Sequence, residues 1–162
     1  PKPQKILEEH AIRALIDSEI ITLCCGGGGV PVCWTADKGY IGIEAVIDKD
    51  YTSCLLASNL GIETVIICTE VDYVYLNYGQ PGEKALEKIT IDEAEEYLRE
   101  GQFSAGSMGP KVAALIDYLK SNAERAIPSR ALITSIPNIA DALDGLTGTA
   151  IMGMPVLDTP SR

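Results

Sequence analysis

Four consecutive glycines, Gly26, Gly27, Gly28 and Gly29, directly follow the apolar run 20–25. An apolar run of this length that ends at glycine predicts a buried strand. Glycine lacks a Cβ atom, so the backbone after the strand can turn its amide groups toward an anion. Ordering four glycines costs more backbone entropy than a simple connector requires. We therefore predict an anion site here, rather than a flexible hairpin connector, although the segment lacks the lysine of a P-loop.

Helical and strand-like patterns alternate along the chain. The predicted helices are 4–17, 50–60, 91–99, 111–122 and 136–143, and the predicted strands are 20–25, 64–68, 74–77, 131–135 and 149–152, with a short hairpin within 30–43. This alternation predicts an α/β fold with a mainly parallel sheet and helices on both of its faces. Ligands of such sheets bind at the carboxyl ends of the strands.

A lysine near the start of a predicted helix, Lys111, indicates a second anion site. Pro110 suits the first helical position, and apolar residues recur at helical spacing after it. A positive charge there opposes the helix dipole and costs about 0.3 kcal/mol or more, unless an anion such as phosphate binds beside it. Taken alone, the segment favours the simpler alternative of a solvated surface lysine.

A third segment places Lys49 between Asp48 and Asp50 at a predicted strand end. If the strand persists, alternation puts both carboxylates on one side. If a helix starts at Asp50, that residue caps it. A lysine oriented by an aspartate can stabilise charge on a transferring phosphoryl group. The alternative is a helix cap beside a surface ion pair.

The net charge of −10 restricts the possible partners. It argues against nucleic acid and anionic membranes, which are bound through clustered Lys and Arg. A nucleotide needs only local positive charge, which Lys49 and Lys111 would supply, with Mg²⁺ arriving on the nucleotide. The sequence has neither a signal peptide nor an apolar stretch near ~18 residues, so we expect a cytoplasmic protein with one core.

The five cysteines have no spacing typical of a zinc site. Because three of them lie in predicted apolar strands or helix faces, we expect buried free thiols in a reducing compartment and no metal centre. The cysteines are Cys24, Cys25, Cys33, Cys54 and Cys68. The single histidine, His10, lies in a charged helical run, so we expect it to be exposed rather than catalytic.

Taken together, these segments resemble the carbamate kinase family of the amino-acid kinase superfamily. The resemblance is carried by Pro3 and by the segments 26–31, 46–50, 69–81 and 101–111. It implies an amino-acid kinase-like fold and a reversible reaction in which carbamoyl phosphate and ADP give ATP and carbamate. It also implies a homodimer and a place at the last step of arginine breakdown.

The resemblance further implies roles for individual residues. Lys49 and Lys111 would contact the nucleotide phosphates and the transferring group, with Asp50 orienting them. The four glycines, Gly26 to Gly29, would line the carbamate and phosphoryl site. The nucleotide-binding residues would be Asp48, Thr69, Glu70, Val71, Asp72, Tyr75, Met108, Gly109 and Pro110.

Two departures from the family pattern bear on these expectations. Glu70 and Tyr73 stand where the superfamily usually has aspartate and glycine. Family members also carry an N-terminal lobe with another phosphate loop and lysine, so we expect residues 1–152 to form the C-terminal, nucleotide-binding lobe. Residues 153–162 are predicted to be a poorly ordered or appended tail. The alternatives are a nucleotide-binding fragment without turnover, and a kinase for an amino-acid carboxylate or a nucleoside monophosphate.

Overall fold

The computed structural model describes residues 1–153. The chain divides into two compact units, Pro1–Leu60 and Gly61–Arg162. The first unit contains helix α1 (Glu9–Asp17), a 3₁₀ turn (Gly26–Gly28), strands β1 (Val32–Thr35) and β2 (Gly39–Gly42), and helix α2 (Lys49–Leu60).

Strands β1 and β2 form an antiparallel hairpin, as the sequence predicts. Its turn ends at Gly39, whose φ of 72° lies in the left-handed region that glycine adopts without a steric penalty. Across the two strands, the rings of Trp34 and Tyr40 pack edge to face with centroids 5.0 Å apart. This aromatic pair stabilises the register of the hairpin.

Two hydrogen bonds join helix α1 to Asn59 at the end of α2. The guanidinium of Arg13 donates to the Asn59 carbonyl oxygen at 2.8 Å. The Asn59 amide donates to a carboxylate oxygen of Glu9 at 2.7 Å. Both contacts join residues about 50 positions apart, so they fix the two helices within the first unit.

The second unit is built on a four-stranded sheet with the order β3-β7-β8-β6. The β3–β7 and β6–β8 pairs are parallel, and the β7–β8 pair is antiparallel. A separate antiparallel pair joins β4 to β5. In chain order the elements are β3 (Thr64–Thr69), β4 (Val74–Leu76), β5 (Lys84–Leu86), β6 (Lys88–Thr90), α3 (Ile91–Arg99), α4 (Met108–Glu124), β7 (Arg130–Ser135), α5 (Ile139–Leu143) and β8 (Thr149–Met152).

The core of this unit lies between α4 and the sheet. Val112, Leu115 and Leu119 recur at helical spacing on α4, and all three are at most 1% exposed. Ile133 of β7 and Ile151 of β8 are also at most 1% exposed, and α4 contacts β7. Burial of this continuous stripe supplies the main stabilisation of the second unit.

The predicted α/β class with a mainly parallel sheet is therefore confirmed. Helix α3 and strand β8 have the predicted bounds, and β3 and β7 differ by one residue each. Helix α3 is set by a capping box, in which Thr90 and Glu93 each accept a hydrogen bond from the other's backbone amide.

The predicted strand 20–25 is wrong. These residues belong to no strand, and Ile21 and Leu23 are 94% and 96% exposed. Apolar composition predicts a tendency to be buried, but a strand also needs a partner for its backbone. The strands that the structure describes in the first unit, β1 and β2, pair with each other.

Several other boundaries also differ from the predictions. Strands β5 and β6 were not predicted, because three-residue strands rich in lysine carry no apolar alternation. Helix α1 is shorter than predicted, and α4 begins three residues earlier. The predicted tail lies outside the described residues from position 154 onward. Among residues 1–153, none of the helices has the length and apolar character needed to cross a bilayer.

Candidate functional site

The glycine turn, residues 26–29, has a backbone that side-chain-bearing residues rarely adopt. Gly27, Gly28 and Gly29 have φ angles of 65°, 89° and 90°. A Cβ atom on Gly28 would overlap the carbonyl oxygen of Ile47, whereas a Cβ atom on Gly26, Gly27 or Gly29 would meet nothing within 4 Å. Gly28 is therefore needed for packing, and the other three glycines present open backbone.

The glycine turn lies against the first turn of α2. The Thr52 hydroxyl donates to the Gly28 carbonyl oxygen at 2.9 Å. Asp48 precedes the helix, and one of its carboxylate oxygens accepts from the Asp50 amide at 2.8 Å. A helix N-terminus carries a partial positive charge, so an anion held by the glycine turn would also be stabilised by α2.

This arrangement contradicts the alternative in which Asp50 caps the helix. Residues 44–48 form no strand, α2 begins at Lys49, and Asp48 rather than Asp50 supplies the cap. The Asp50 side chain is instead buried, with 8% exposure, while Lys49 is exposed. The helix therefore begins one residue earlier than predicted, and its capping carboxylate lies two positions before Asp50.

The second unit contains a cavity of about 480 Å³ between the end of β3 and the start of α4, which we call the β3–α4 cavity. It is lined by Thr69, Glu70, Val71, Tyr75, Asn77, Tyr78, Gln80, Glu100, Gly101, Gln102, Phe103, Ser104, Ser107 and Met108. The carboxyl end of a parallel strand and the N-terminus of a helix are where α/β sheets bind ligands.

The lining side chains combine aromatic faces with polar groups. The ring of Tyr75 lies 5.6 Å from that of Tyr78 and 6.3 Å from that of Tyr73. The Gln102 side-chain oxygen accepts from the Asn77 amide at 3.2 Å, which ties the loop after β4 to the loop before α4. Aromatic faces can stack on a flat heterocycle, and amide groups can bind its ring edge.

The cavity's charge does not favour a phosphate inside it. Glu70 and Glu100 both line it. Burial, followed by the negative charges of Asp72 and Glu83, raises the pKa of Tyr75 above its ordinary value, so the phenol stays neutral and can donate a hydrogen bond. These features suit an uncharged nucleoside moiety, with any phosphate groups extending toward positive charge outside the cavity.

Ser104 accepts hydrogen bonds from three backbone amides at the start of α4. Its hydroxyl accepts from the Met108 amide at 3.2 Å, and its carbonyl oxygen accepts from the Ser107 and Gly109 amides at 3.2 and 2.9 Å. Pro110 has no amide hydrogen and lies at the third helical position, not the predicted first. Because these amides are occupied, an anion at this end of α4 would be held by the Lys111 side chain rather than by the backbone.

The structure places five of the predicted nucleotide-binding residues in the lining of the β3–α4 cavity. They are Thr69, Glu70, Val71, Tyr75 and Met108. Asp72, Gly109 and Pro110 do not line it. A Cβ atom on Gly109 would lie 3.1 Å from the Ser104 carbonyl oxygen, so that glycine permits close packing of the loop on the helix.

Sequence reasoning did not assign the remaining lining residues to the site. Asn77, Tyr78 and Gln80 lie in the loop after β4, and the segment 100–104 precedes α4. Both stretches are part of the family resemblance, and both are rich in glycine and polar residues that are typical of loops. The family resemblance together with this loop composition could have indicated that these residues belong to the site.

Asp48, Lys49 and Asp50 belong to the first unit, whereas Lys111 belongs to the second. The expectation that the two lysines meet around one phosphoryl group stays a prediction. Among residues 1–153, no three His, Cys, Asp or Glu side chains are grouped so that they could hold a metal ion.

Comparisons with known proteins show what this chain is similar to. Residues 1–128 match the model of the amino acid kinase family. Carbamate kinase 2 of Enterococcus faecalis is 47% identical over 93% of this chain and 46% of its own length. A carbamate kinase of Staphylococcus haemolyticus is 44% identical over 93% of this chain and 47% of its own length.

Solved structures show the same relationship. Carbamate kinase from Giardia lamblia bound to AMP-PNP superposes with a TM-score of 0.87 at 38% identity. The match covers 94% of this chain and 52% of that structure. The chain thus spans about half the length of the curated relatives it matches.

Proposed function

The chain belongs to the amino acid kinase family, and we propose that it supplies the nucleotide site of a kinase that transfers a phosphoryl group reversibly between carbamoyl phosphate and ADP. The observation that carries this proposal is the β3–α4 cavity, whose lining includes five residues expected to bind nucleotide. The similar Giardia lamblia protein is a carbamate kinase bound to AMP-PNP, an ATP analogue, which supports an adenine nucleotide as the occupant.

The nucleoside occupies the β3–α4 cavity in this proposal. A volume of about 480 Å³ accommodates a nucleoside, and pockets for such ligands combine apolar walls with a few polar groups. The aromatic faces of Tyr75, Tyr78 and Phe103 bind the base by stacking. Since Glu70 and Glu100 repel phosphate, the phosphate chain leaves the cavity and extends toward Lys111.

The glycine turn binds the carbamate and the transferring group. Its open positions, Gly26, Gly27 and Gly29, let the ligand approach the backbone. Lys49 lies at the start of α2 beside this turn, and buried Asp50 follows it directly. These groups offer positive charge and backbone dipoles in one place, which is what a transferring phosphoryl group requires.

In the reaction, an oxygen of the ADP β-phosphate attacks the phosphorus of carbamoyl phosphate. The bond from phosphorus to the carbamate oxygen breaks, and carbamate leaves with the electron pair. Lys49 and Lys111 stabilise the charge that spreads over the equatorial phosphoryl oxygens, so no covalent enzyme intermediate is needed. The nucleotide phosphates would hold Mg²⁺, which would neutralise part of their negative charge.

We also propose the finer assignments that the family resemblance implies. The intact enzyme acts in the cytoplasm as a homodimer and completes arginine breakdown. Size measurement of the native protein by light scattering tests the dimer, and a monomer at micromolar concentration would contradict it.

The half-length match favours a second candidate, in which this chain alone binds nucleotide without turnover. ADP titration by calorimetry, combined with an ATP-forming assay on carbamoyl phosphate, separates the two. Binding with turnover supports the kinase reaction of this chain, and binding without turnover supports the second candidate. A folded chain that does not bind ADP overturns the assignment of the cavity.

The same assay tests which phosphorylated compound donates its phosphoryl group to ADP. We expect ATP formation with carbamoyl phosphate and none with acyl phosphates of amino acids or with UDP. Turnover with either of the last two substrates, and none with carbamoyl phosphate, would assign the chain to a different kinase of the family.

A further inference from the structure

Two adjacent free thiols, Cys24 and Cys25, immediately precede the glycine turn. Contrary to the expectation of buried thiols, Cys24 is exposed and Cys25 is half-buried, so reagents can reach the pair. Neighbouring side chains on an extended segment normally point to opposite sides. Cys25 departs from that pattern, because its φ of 61° lies in the left-handed region. Such a conformation is uncommon for residues other than glycine and is frequent at functional sites.

The two thiols interact with each other. The Cys24 side chain is within hydrogen-bonding range of the Cys25 sulfur, and so is the side chain of Ser53 on α2. Burial, followed by the neighbouring Cys24, raises the pKa of the Cys25 thiol to about 11, so Cys25 is protonated at neutral pH. Cys24 and Cys25 are therefore a pair of neighbouring thiols whose side chains interact directly.

We propose that Cys24 and Cys25 form a chelating site for a trivalent arsenical beside the glycine turn. Sulfur ligands prefer soft metals and metalloids, and two sulfur atoms held together bind one such centre far better than a single sulfur does. The proposal rests on the cysteine geometry and is independent of the proposed kinase reaction.

The chemistry needs no oxidant. With phenylarsine oxide as the probe, both S–H bonds and the arsenic–oxygen bond break, and two arsenic–sulfur bonds form. The two thiol protons leave with the oxygen as one water molecule. Arsenic keeps its trivalent state, and both cysteines keep the oxidation state of a thiolate.

The other cysteines supply matched controls. Cys68 is exposed like Cys24 but belongs to β3 of the second unit, and Cys33 lies on β1. Neither has another cysteine beside it in the sequence. A single thiol also reacts with phenylarsine oxide, but a large excess of a competing monothiol displaces it. A chelated arsenical resists that competition.

The test measures phenylarsine retained by the full 162-residue chain in excess mercaptoethanol, using intact mass spectrometry. We expect one retained group per chain for the parent and for Cys68→Ser and Cys33→Ser. Cys24→Ser and Cys25→Ser should each bind at least about 100-fold more weakly, because the second linked thiol contributes about 10²–10⁴-fold.

Circular dichroism and thermal unfolding show whether each variant is folded. If Cys25→Ser does not fold, Cys24→Ser decides the question, since its side chain is exposed. Full retention by folded Cys24→Ser, or loss of retention in Cys68→Ser, would overturn the proposal. A parent chain that retains no phenylarsine would overturn it as well.

Discussion

The hydroxyl of Thr52 donates a 2.9 Å hydrogen bond to the carbonyl oxygen of Gly28, across 24 positions of sequence. This bond connects the glycine turn with the first turn of α2. The Thr52 side chain is 5% exposed, so water cannot readily replace it as a partner. The geometry of the glycine turn therefore depends on a residue outside it.

Thr52→Val should destabilise the first unit by about 1–3 kcal/mol, because it leaves the Gly28 carbonyl oxygen buried without its donor. Valine keeps the shape of threonine, so packing changes little. Urea unfolding monitored by circular dichroism measures the difference. Thr52→Ser, which keeps the hydroxyl, should lose less stability than Thr52→Val. Equal losses in the two variants would show that the methyl group, and not the hydrogen bond, is what matters.

Two alanine substitutions in the glycine turn should differ strongly in their effect on stability. Gly28→Ala should cost at least about 2 kcal/mol, because its Cβ atom would overlap Ile47 and its φ is 89°. Gly26→Ala should change stability by no more than about 0.5 kcal/mol, since its Cβ atom meets nothing and its φ is not positive. Thermal unfolding of the two variants checks both values.

Gly26→Ala also tests the ligand at the glycine turn. If carbamoyl phosphate approaches this backbone, the added methyl group should weaken its binding although the fold is intact. Unchanged binding of carbamoyl phosphate to folded Gly26→Ala would contradict a close approach at that residue.

The sequence predicted the second unit better than the first. Strands β3, β7 and β8 are strongly apolar runs, and α3 carries its start signal in Thr90 and Glu93, so local patterns were sufficient. Residues 20–25 show the same apolar pattern without a strand partner. Local pattern measures a preference for burial, and pairing depends on residues far away in sequence.

In the candidate site, too, features set by local sequence could be predicted, and features set by residues distant in sequence could not. Thr69, Glu70 and Val71 follow a predicted strand, so their place at its end could be predicted. The contribution of Gln102 depends on its contact with Asn77, 25 positions away, and no local pattern encodes that contact. Likewise, the packing requirement at Gly28 comes from Ile47 and became apparent only in the folded chain.

Tyr75→Ala should weaken ADP binding by about 5–150-fold, because stacking of a base on an aromatic side chain contributes about 1–3 kcal/mol. Tyr75→Phe keeps the ring and should bind within a few-fold of the parent. Tyr40→Ala is a suitable control, since Tyr40 is exposed on the β1–β2 hairpin and does not line the cavity. Calorimetric titration gives all three affinities. Parent-like affinity of Tyr75→Ala would remove Tyr75 from the nucleotide site.

Lys111→Ala should lower the rate of ATP formation by about 100-fold or more if its charge acts on the transferring group. It should also weaken ADP binding, a result that can be measured even without turnover. Lys120→Ala removes the same charge from the same helix, where Lys120 forms an exposed 2.6 Å ion pair with Glu95. We expect the control to leave both quantities unchanged. Equal effects of the two substitutions would indicate a general charge effect rather than a specific contact.

Alkylation of Cys25 should depend unusually on pH. Iodoacetamide reacts with the thiolate, and a pKa of about 11 leaves about a thousandth of Cys25 as thiolate at pH 8. Its alkylation rate should therefore rise about tenfold per pH unit up to pH ~10, whereas the rate for an unstructured cysteine peptide levels off above its pKa of about 8.5. Fragment-ion mass spectrometry distinguishes modification of Cys25 from that of its neighbour.

Two variants should shift this alkylation profile in opposite directions. Cys24→Ser removes a neighbour that raises the Cys25 pKa, so the profile should move to lower pH, although burial, the larger cause, remains. Ser53→Ala removes a hydrogen bond that lowers the Cys25 pKa, so the profile should move to higher pH. A Cys25 rate that levels off near pH 9 in the parent would contradict the burial of this thiol. Cys24 favours the protonated Cys25 thiol, and Ser53 favours the thiolate. Shifts in the same direction for both variants would contradict these opposing roles.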